Sequence, residues 1–339
     1  MKVGLLGVTG RAGRGALAVL KHYGCDVLAG CRHPENDSDV ETMTVDLFDK
    51  DSLAGFVSRC DLVINCTGPA RIIGDTVAAA CTARGVSLID PAGNDTMLEK
   101  VKKSCGNNGR IILSAGVYPG LCEWLITFIC ESCSGKIRRI DEVFHDSSAL
   151  SDNALSDIIE SLESGEGDAF VFWNHSSKQR IDEVTRQSIR TKDGTSIYLL
   201  PYFYKELEAV CRNIKPDCAV FYQGFSSPDD IEHLIQMKNK SKADNNTADL
   251  FGRVSGNGSF MIISDLITYD DEYEFRYTLS SDYDSGYVSG AVAATIAVTY
   301  GFDIGEGIHF SAELERTSEM IKMLKECGLI RLSRSKRKR

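Results

Sequence analysis

The stretch Lys2-Val3-Gly4-Leu5-Leu6-Gly7-Val8-Thr9-Gly10-Arg11-Ala12-Gly13-Arg14 decides how the rest of the chain is read. An apolar run ends in three glycines, Gly7, Gly10 and Gly13, and an amphipathic segment follows. The order is strand, glycine turn, helix. A phosphate needs backbone N–H groups aimed at it and no side chain in the way. Glycine permits that approach, and a helix start adds partial positive charge. The GxxGxxG spacing is common by chance, so its weight comes from its place between the first strand and the first helix. Gly7, Thr9, Gly10, Arg11, Ala12 and Gly13 are therefore expected to bind a dinucleotide, with a plain strand–turn–helix as the competing reading.

Outward from this turn, strands are expected at 3–8, 26–30, 42–45, 61–66, 87–89 and 110–113, separated by helical segments at 11–23, 52–58, 73–84 and from about 96. Short loops between alternating strands and helices predict a Rossmann-type α/β fold with a doubly wound parallel sheet. The fourth strand, Asp61-Leu62-Val63-Ile64-Asn65-Cys66, is nearly all apolar, as a strand buried on both faces should be.

Ligands bind such sheets at the carboxyl ends of the strands. An NAD site usually carries an acid after the second strand, for the ribose hydroxyls. Here Ala29-Gly30-Cys31-Arg32-His33 has none. Arg32, with Arg11, could instead meet a 2′-phosphate, so NADP(H) is the expected cofactor; a solvated loop arginine is the alternative. Asp46 lies near the adenine or caps the next turn. Cys66, Thr67, Gly68 and Pro69 form a loop beside the nicotinamide ribose, or an ordinary Gly-Pro turn. Asp90 ends the fifth strand, where it could bind substrate, transfer a proton or cap the helix near Thr96. The sixth strand ends in Ser114-Ala115-Gly116-Val117-Tyr118-Pro119-Gly120. Its Tyr118 is either a proton donor or a structural tyrosine. His145 is a third catalytic candidate behind Tyr118 and Asp90, and reads first as a satisfied structural histidine.

The chain has 339 residues, room for two domains. Hydrophobic content of 43% and charged content of 25% are those of a globular protein. No apolar run of about 18 residues suggests a membrane span. The chain enters its first strand without a signal-peptide pattern, so a cytoplasmic protein is expected. Twelve cysteines lie mostly in apolar segments and read as small buried hydrophobes in a reducing compartment. Cys130 and Cys133 form one CxxC with no second pair, so no metal site is expected. Net charge is −10, and the last nine residues hold six basic residues and no acid. The body is thus acidic and a poor nucleic-acid surface, and residues 331–339 read as a disordered, solvated tail.

Beyond about residue 136 the texture changes. Segments at 137–145, 169–173, 185–191, 196–199, 260–269 and 272–279 alternate or are β-branched, with an amphipathic stretch at 155–162 and a polar loop at 238–249. Residues 136–284 are read as an inserted α+β substrate or dimerisation domain. The nucleotide domain is then 1–135 with 285–330, the second part being a helix of small residues at 285–300 and a last helix at 312–327.

Together these motifs resemble the saccharopine dehydrogenase-like family of NAD(P)-dependent reductases. The resemblance rests on Gly7-Val8-Thr9-Gly10-Arg11-Ala12-Gly13, Asn65-Cys66-Thr67-Gly68-Pro69, Asp90 and Ala115-Gly116-Val117-Tyr118-Pro119-Gly120-Leu121. Ser289-Gly290-Ala291-Val292-Ala293-Ala294 and Gly307-Ile308-His309-Phe310 complete it. It implies that the helix at 285–300 packs back on the first domain and that Gly116, Tyr118 and Gly120 face the reacting carbon. It also makes a homodimer an expectation. Family members that form amino-acid adducts often carry an acid where Tyr118 stands. The expected activity is NADPH-dependent hydride transfer to a C=N bond of a small metabolite, or to a C=C or C=O bond. The alternative is a non-catalytic NADP-binding sensor or scaffold.

Overall fold

The computed structural model describes residues 1–33, 40–106, 108–133, 135–148, 167–181, 187–191, 193–232, 258–270 and 273–338. The stretches read as 155–162 and 238–249 lie outside the described residues. Two compact units are found: 1–121 with 286–328, and 122–285 with 329–339. The first junction falls where a helix begins rather than after it ends, so that helix groups with the second unit.

The first unit opens with β1 (Lys2–Leu6), α1 (Arg11–His22), β2 (Asp26–Cys31), β3 (Glu41–Thr44), α2 (Lys50–Val57) and β4 (Leu62–Asn65). It continues with α3 (Ala70–Ile73), α4 (Thr76–Thr82), β5 (Ser87–Ile89), α5 (Asp95–Cys105) and β6 (Arg110–Leu113). Local chemistry sets the boundaries. Asp49 caps α2 by accepting from the N–H groups of Asp51 and Ser52, and Asn94 caps α5 by accepting from Met97 N–H. Each such cap stabilises its helix by about 1 kcal/mol. Asn94, not Asp90, therefore does the capping that one reading of Asp90 proposed. The helix expected at 73–84 is α4, which starts only at Thr76, because Gly74 turns the chain at φ +53° after the short α3.

The second unit holds α6 (Leu121–Glu131), β7 (Ile137–Asp146), β8 (Asp168–Ala169), β9 (Val171–Asn174) and β10 (Ser177–Arg180). It goes on with β11 (Ser188–Arg190), β12 (Ser196–Phe203), α7 (Lys205–Ile214), β13 (Cys218–Phe225), β14 (Phe260–Thr268) and β15 (Tyr273–Ser281). Here β7 lies at the centre, parallel to β13 and antiparallel to β14, and the other pairings are antiparallel. Strand β13 and helix α7 were missed in the sequence.

The chain then returns to the first unit as α8 (Ser285–Tyr300), β16 (Gly307–Phe310) and α9 (Thr317–Glu326). Between these two helices, β16 forms the edge strand of the first sheet and pairs parallel with β6. The first sheet is parallel throughout, in the order β16-β6-β5-β4-β1-β2-β3. Its core includes Leu6, Leu28, Phe56, Val63, Leu88 and Ile111, none more than 1% exposed.

The last element corrects an expectation. Residues 331–339 were read as a disordered tail, yet Arg331–Lys338 forms β17, paired antiparallel with β15 along its length. The positive charges have partners there. Arg331 pairs with Asp282 and Arg337 with Glu274, while Arg334 lies 4.3 Å from the Phe275 ring centre and Lys336 4.7 Å from that of Tyr273. Among the described residues, no helix is long and apolar enough to cross a membrane.

Candidate functional site

The first unit gathers its candidate residues where the parallel strands end. After β1 the chain turns at Gly7, whose φ of +77° suits glycine and whose N–H donates to Gly30 O at 3.0 Å. A Cβ at Gly7 would lie 2.6 Å from Cys66 O, and one at Gly13 would lie 2.1 Å from Gly7 O. Neither position has room for a side chain. Gly10 is the N-cap of α1; its own N–H donates to Gly7 O, and the first bond within the helix runs from Arg14 N–H to Gly10 O. The N–H groups of Ala12 and Gly13 precede that bond. Among the described residues no side chain caps this helix start, and its first turn holds no acid. The turn thus offers donors and partial positive charge to an anion.

The ends of β4, β5 and β6 are tied together by buried polar groups. Asn65 donates from Nδ2 to Asp90 Oδ2 at 2.7 Å, and its Oδ1 accepts from Thr67 N–H at 3.3 Å and from the Thr67 hydroxyl. Asp90, 1% exposed, accepts from Ala92 N–H on Oδ1 at 2.9 Å, while its backbone joins Ile112 O and Ala115 N–H. The aspartate is placed as the anchor of three strand ends. Asn65 was quoted in the sequence without a role; its signal was a polar residue closing an apolar strand. Burial pushes the Cys66 thiol up, with the Asp90 carboxylate adding to the shift, so this cysteine stays a neutral thiol.

The loop after β6 is held just as closely. Gly116 N–H donates to Pro119 O at 3.2 Å, Leu121 N–H donates to Gly116 O at 2.9 Å, and Gly116 bridges Gly120. Tyr118, half-buried, rides on this loop. Two bonds reach it from the returning segment: Val117 N–H donates to Ser289 Oγ at 3.0 Å, and the Ser311 hydroxyl donates to Ser114 O. The helix α8 meets α1 almost backbone to backbone, since a Cβ at Gly290 would lie 1.7 Å from Ala12 O and one at Gly15 1.8 Å from Tyr287 O. Ser289 and Ser311 carried no role in the sequence reading, because only the fold brings them to the loop.

The remaining candidates are placed as follows. Thr9 and Arg11 are exposed on the turn, and Arg32 is exposed just beyond β2. Among the described residues no hydrogen bond or ion pair is seen for the Arg32 guanidinium. Asp46 forms a local turn: Oδ1 accepts from Phe48 N–H at 2.9 Å, and its own N–H donates to Ser52 Oγ at 3.1 Å. His145 belongs to the second unit. It is 5% exposed, with Nδ1 3.1 Å from Gly224 O, the setting of a satisfied structural histidine.

The second unit contains buried charge of its own. Arg276 donates two bonds to Asp265, at 2.6 and 2.7 Å. Glu142, 3% exposed, accepts from the Ser264 hydroxyl at 2.6 Å. Burial, and then the neighbouring Glu123, push the Glu142 carboxyl well above the ordinary range against the pull of that hydrogen bond. Among the described residues no group of three or more His, Cys, Asp or Glu could hold a metal ion.

Over 82 residues the chain is 34% identical to a probable mitochondrial saccharopine dehydrogenase-like oxidoreductase of Arabidopsis thaliana, covering 23% of this chain and 18% of that protein. Over 66 residues it is 36% identical to the saccharopine dehydrogenase-like oxidoreductase of Mus musculus, covering 20% and 15%. Among solved structures, apo saccharopine dehydrogenase (L-Glu forming) from Saccharomyces cerevisiae matches with a TM-score of 0.71 over 99% of both chains, at 14% identity. In sequence the chain is similar to saccharopine dehydrogenase-like oxidoreductases over that short stretch, and in fold it is similar to saccharopine dehydrogenase. The saccharopine dehydrogenase-like sequence match spans less than a fifth of either curated relative, whereas the shared fold runs through the whole chain. No family model matches the chain.

Proposed function

We propose that this chain is an NADP(H)-dependent reductase acting on a C=N bond of a small molecule, with C=C and C=O as less favoured targets. One observation carries the reading: at Gly7 and Gly13 the backbone leaves no room for a Cβ, and among the described residues the helix start behind them has no capping side chain and no acid in its first turn. Such a turn fits a pyrophosphate, and it lies in a sheet whose strand order reverses between β1 and β4, where dinucleotides are held. The oxidoreductase names of the curated relatives support the same class of activity.

On this reading the N–H groups of the α1 start bind the pyrophosphate, and Arg32 binds the 2′-phosphate through charge-assisted bonds. The Thr67–Pro69 loop and the Tyr118 loop line the nicotinamide half. The bound dinucleotide supplies the hydride. Tyr118 orients the substrate and donates the proton of its Oη to the substrate nitrogen. Asp90 and Asn65 act beneath it by holding the strand ends in register.

Arg32→Asp should weaken NADPH binding about tenfold or more while changing NADH binding little, as the loss of hydrogen bonds to a charged group predicts. Titration of both cofactors by fluorescence reads the split, and equal effects on the two would sink the NADP(H) assignment. Against imines formed from keto acids and amines, Tyr118→Phe should lose turnover and keep cofactor affinity. Tight NADPH binding without turnover of any imine, alkene or carbonyl substrate by the unmodified chain would instead favour a sensor.

A further inference from the structure

We infer that the dipeptide Ser289-Gly290 on α8 sets the spacing between the phosphate turn and the Tyr118 loop, so that Ser289 is a positioning residue for the reaction centre. The inference rests on the proposed dinucleotide reading and adds to it. Two adjacent residues of one helix touch the two ends of the carboxyl edge. Gly290 lies against Ala12, with a Cβ there only 1.7 Å from the Ala12 carbonyl oxygen, and Ser289 Oγ accepts the Val117 N–H at 3.0 Å. In a sheet of this order the phosphates lie over the end of β1 and the nicotinamide toward β4, β5 and β6. The helix thus bridges both halves of the expected ligand.

The Tyr118 loop depends on this bridge. Its internal bonds close Gly116 on Pro119 and Leu121 on Gly116, while Val117 N–H is met by Ser289 Oγ and Ser114 O by the Ser311 hydroxyl. Both groups are buried, Val117 at 1% and Ser114 at 0% exposure, and a buried backbone group left without a partner is strongly disfavoured. Their partners come from 172 and 197 residues further along the chain, as the hydroxyls of Ser289 and Ser311. Ser311 itself is fully buried. Rigid placement of a proton donor is what turns a bound pair into a reactive one, and a shift of about an ångström is enough to lose it.

The test uses the full chain with two probes, NADPH and 2′-phospho-ADP-ribose, which lacks only the nicotinamide. Ser289→Ala should weaken NADPH about fivefold, the effect of one hydrogen bond, and leave 2′-phospho-ADP-ribose within about twofold. The Val117 amide should exchange with solvent deuterium at least about tenfold faster, and Ser289→Thr, which keeps the hydroxyl, should restore both readouts. Equal weakening of the two probes would overturn the inference, since it marks a general loss of structure. Faster Val117 exchange with unchanged NADPH affinity would also overturn it, leaving Ser289 a structural contact only. Should Ser289→Ala not fold, Ser289→Cys, which keeps the size and offers only a weak acceptor, provides the same comparison. An unmodified chain that binds neither probe would remove the dinucleotide reading and this inference with it; binding of both probes with no effect of either variant would remove the inference alone.

Discussion

The two sheets bury their strands by different means. In the first unit β4 is Leu62-Val63-Ile64-Asn65, buried at every position and flanked by parallel neighbours. Its close contacts are made by backbone: Gly13 under Gly7, Gly290 on Ala12. In the second unit β14 carries Ser264 and Asp265 in the middle of an apolar strand, and the fit is made by side chains, Ser264 to Glu142 and Arg276 to Asp265. A backbone contact leaves no freedom to adjust. A side-chain pair can be replaced by another of similar shape, so tolerance to substitution should divide along the same line.

The sharpest way to break this contrast is Gly290→Val. With a Cβ already 1.7 Å from Ala12 O, the helices α1 and α8 must separate, and a loss of about 3 kcal/mol is expected in urea unfolding. A neutral result would refute the claim that the first unit is set by backbone approach.

A smaller effect of opposite sign is expected from Glu142→Gln. The folded carboxyl holds its proton more tightly than the unfolded one, because burial and Glu123 raise it. The native state therefore binds more protons, and stability falls as pH rises from about 4.3, the unfolded value, through the raised one. Glutamine keeps an acceptor for Ser264 and does not titrate. The variant should gain on the unmodified chain as pH rises from 4 to 8 in thermal unfolding, and a constant difference would show that Glu142 is not held protonated.

The least effect is expected at the edge. Arg337, whose side chain is 81% exposed, pairs with Glu274, and Arg337→Ala should change stability by no more than about 0.5 kcal/mol. A larger loss would mean that β17 depends on single charges rather than on its ladder with β15.

These differences explain what could be read from the chain itself. The first unit was legible because a parallel strand buried on both faces is a continuous apolar run and its turns carry glycine; strand six was placed at 110–113, where β6 lies. The glycine turn was legible for the same reason. In the second unit the strands at 137–145, 260–269 and 272–279 were read, β13 and α7 were missed, and the partners of the acids within the strands were hidden. In β7, Asp141 and Glu142 break the apolar pattern; Asp141 is met by Arg139 two residues away, but Glu142 is met by Ser264, 122 residues further on. The tail misled because six charges suggest solvation, whereas rings and carboxylates on and beside β15 take four of them, Arg331, Arg334, Lys336 and Arg337. Within the candidate site, Asp90 was seen and its bond to Asn65 was not, since 25 residues separate the two. Ser289 and Ser311 were invisible as partners of the Tyr118 loop for the same reason.

The return of α8, β16 and α9 to the first unit has a consequence for how the protein is made. A ribosome delivers β1 long before β16, with residues 122–285 between them, so the first unit stays unfinished until its returning segment arrives. Until residues 307–310 emerge, β6 is an open strand edge, and until Gly290 arrives the Ala12 face of α1 has no helix upon it. Open edges of that kind pair with other chains. The nascent protein must pass through this interval with its sheet unfinished, and contacts spanning nearly the full chain make the closing step slow.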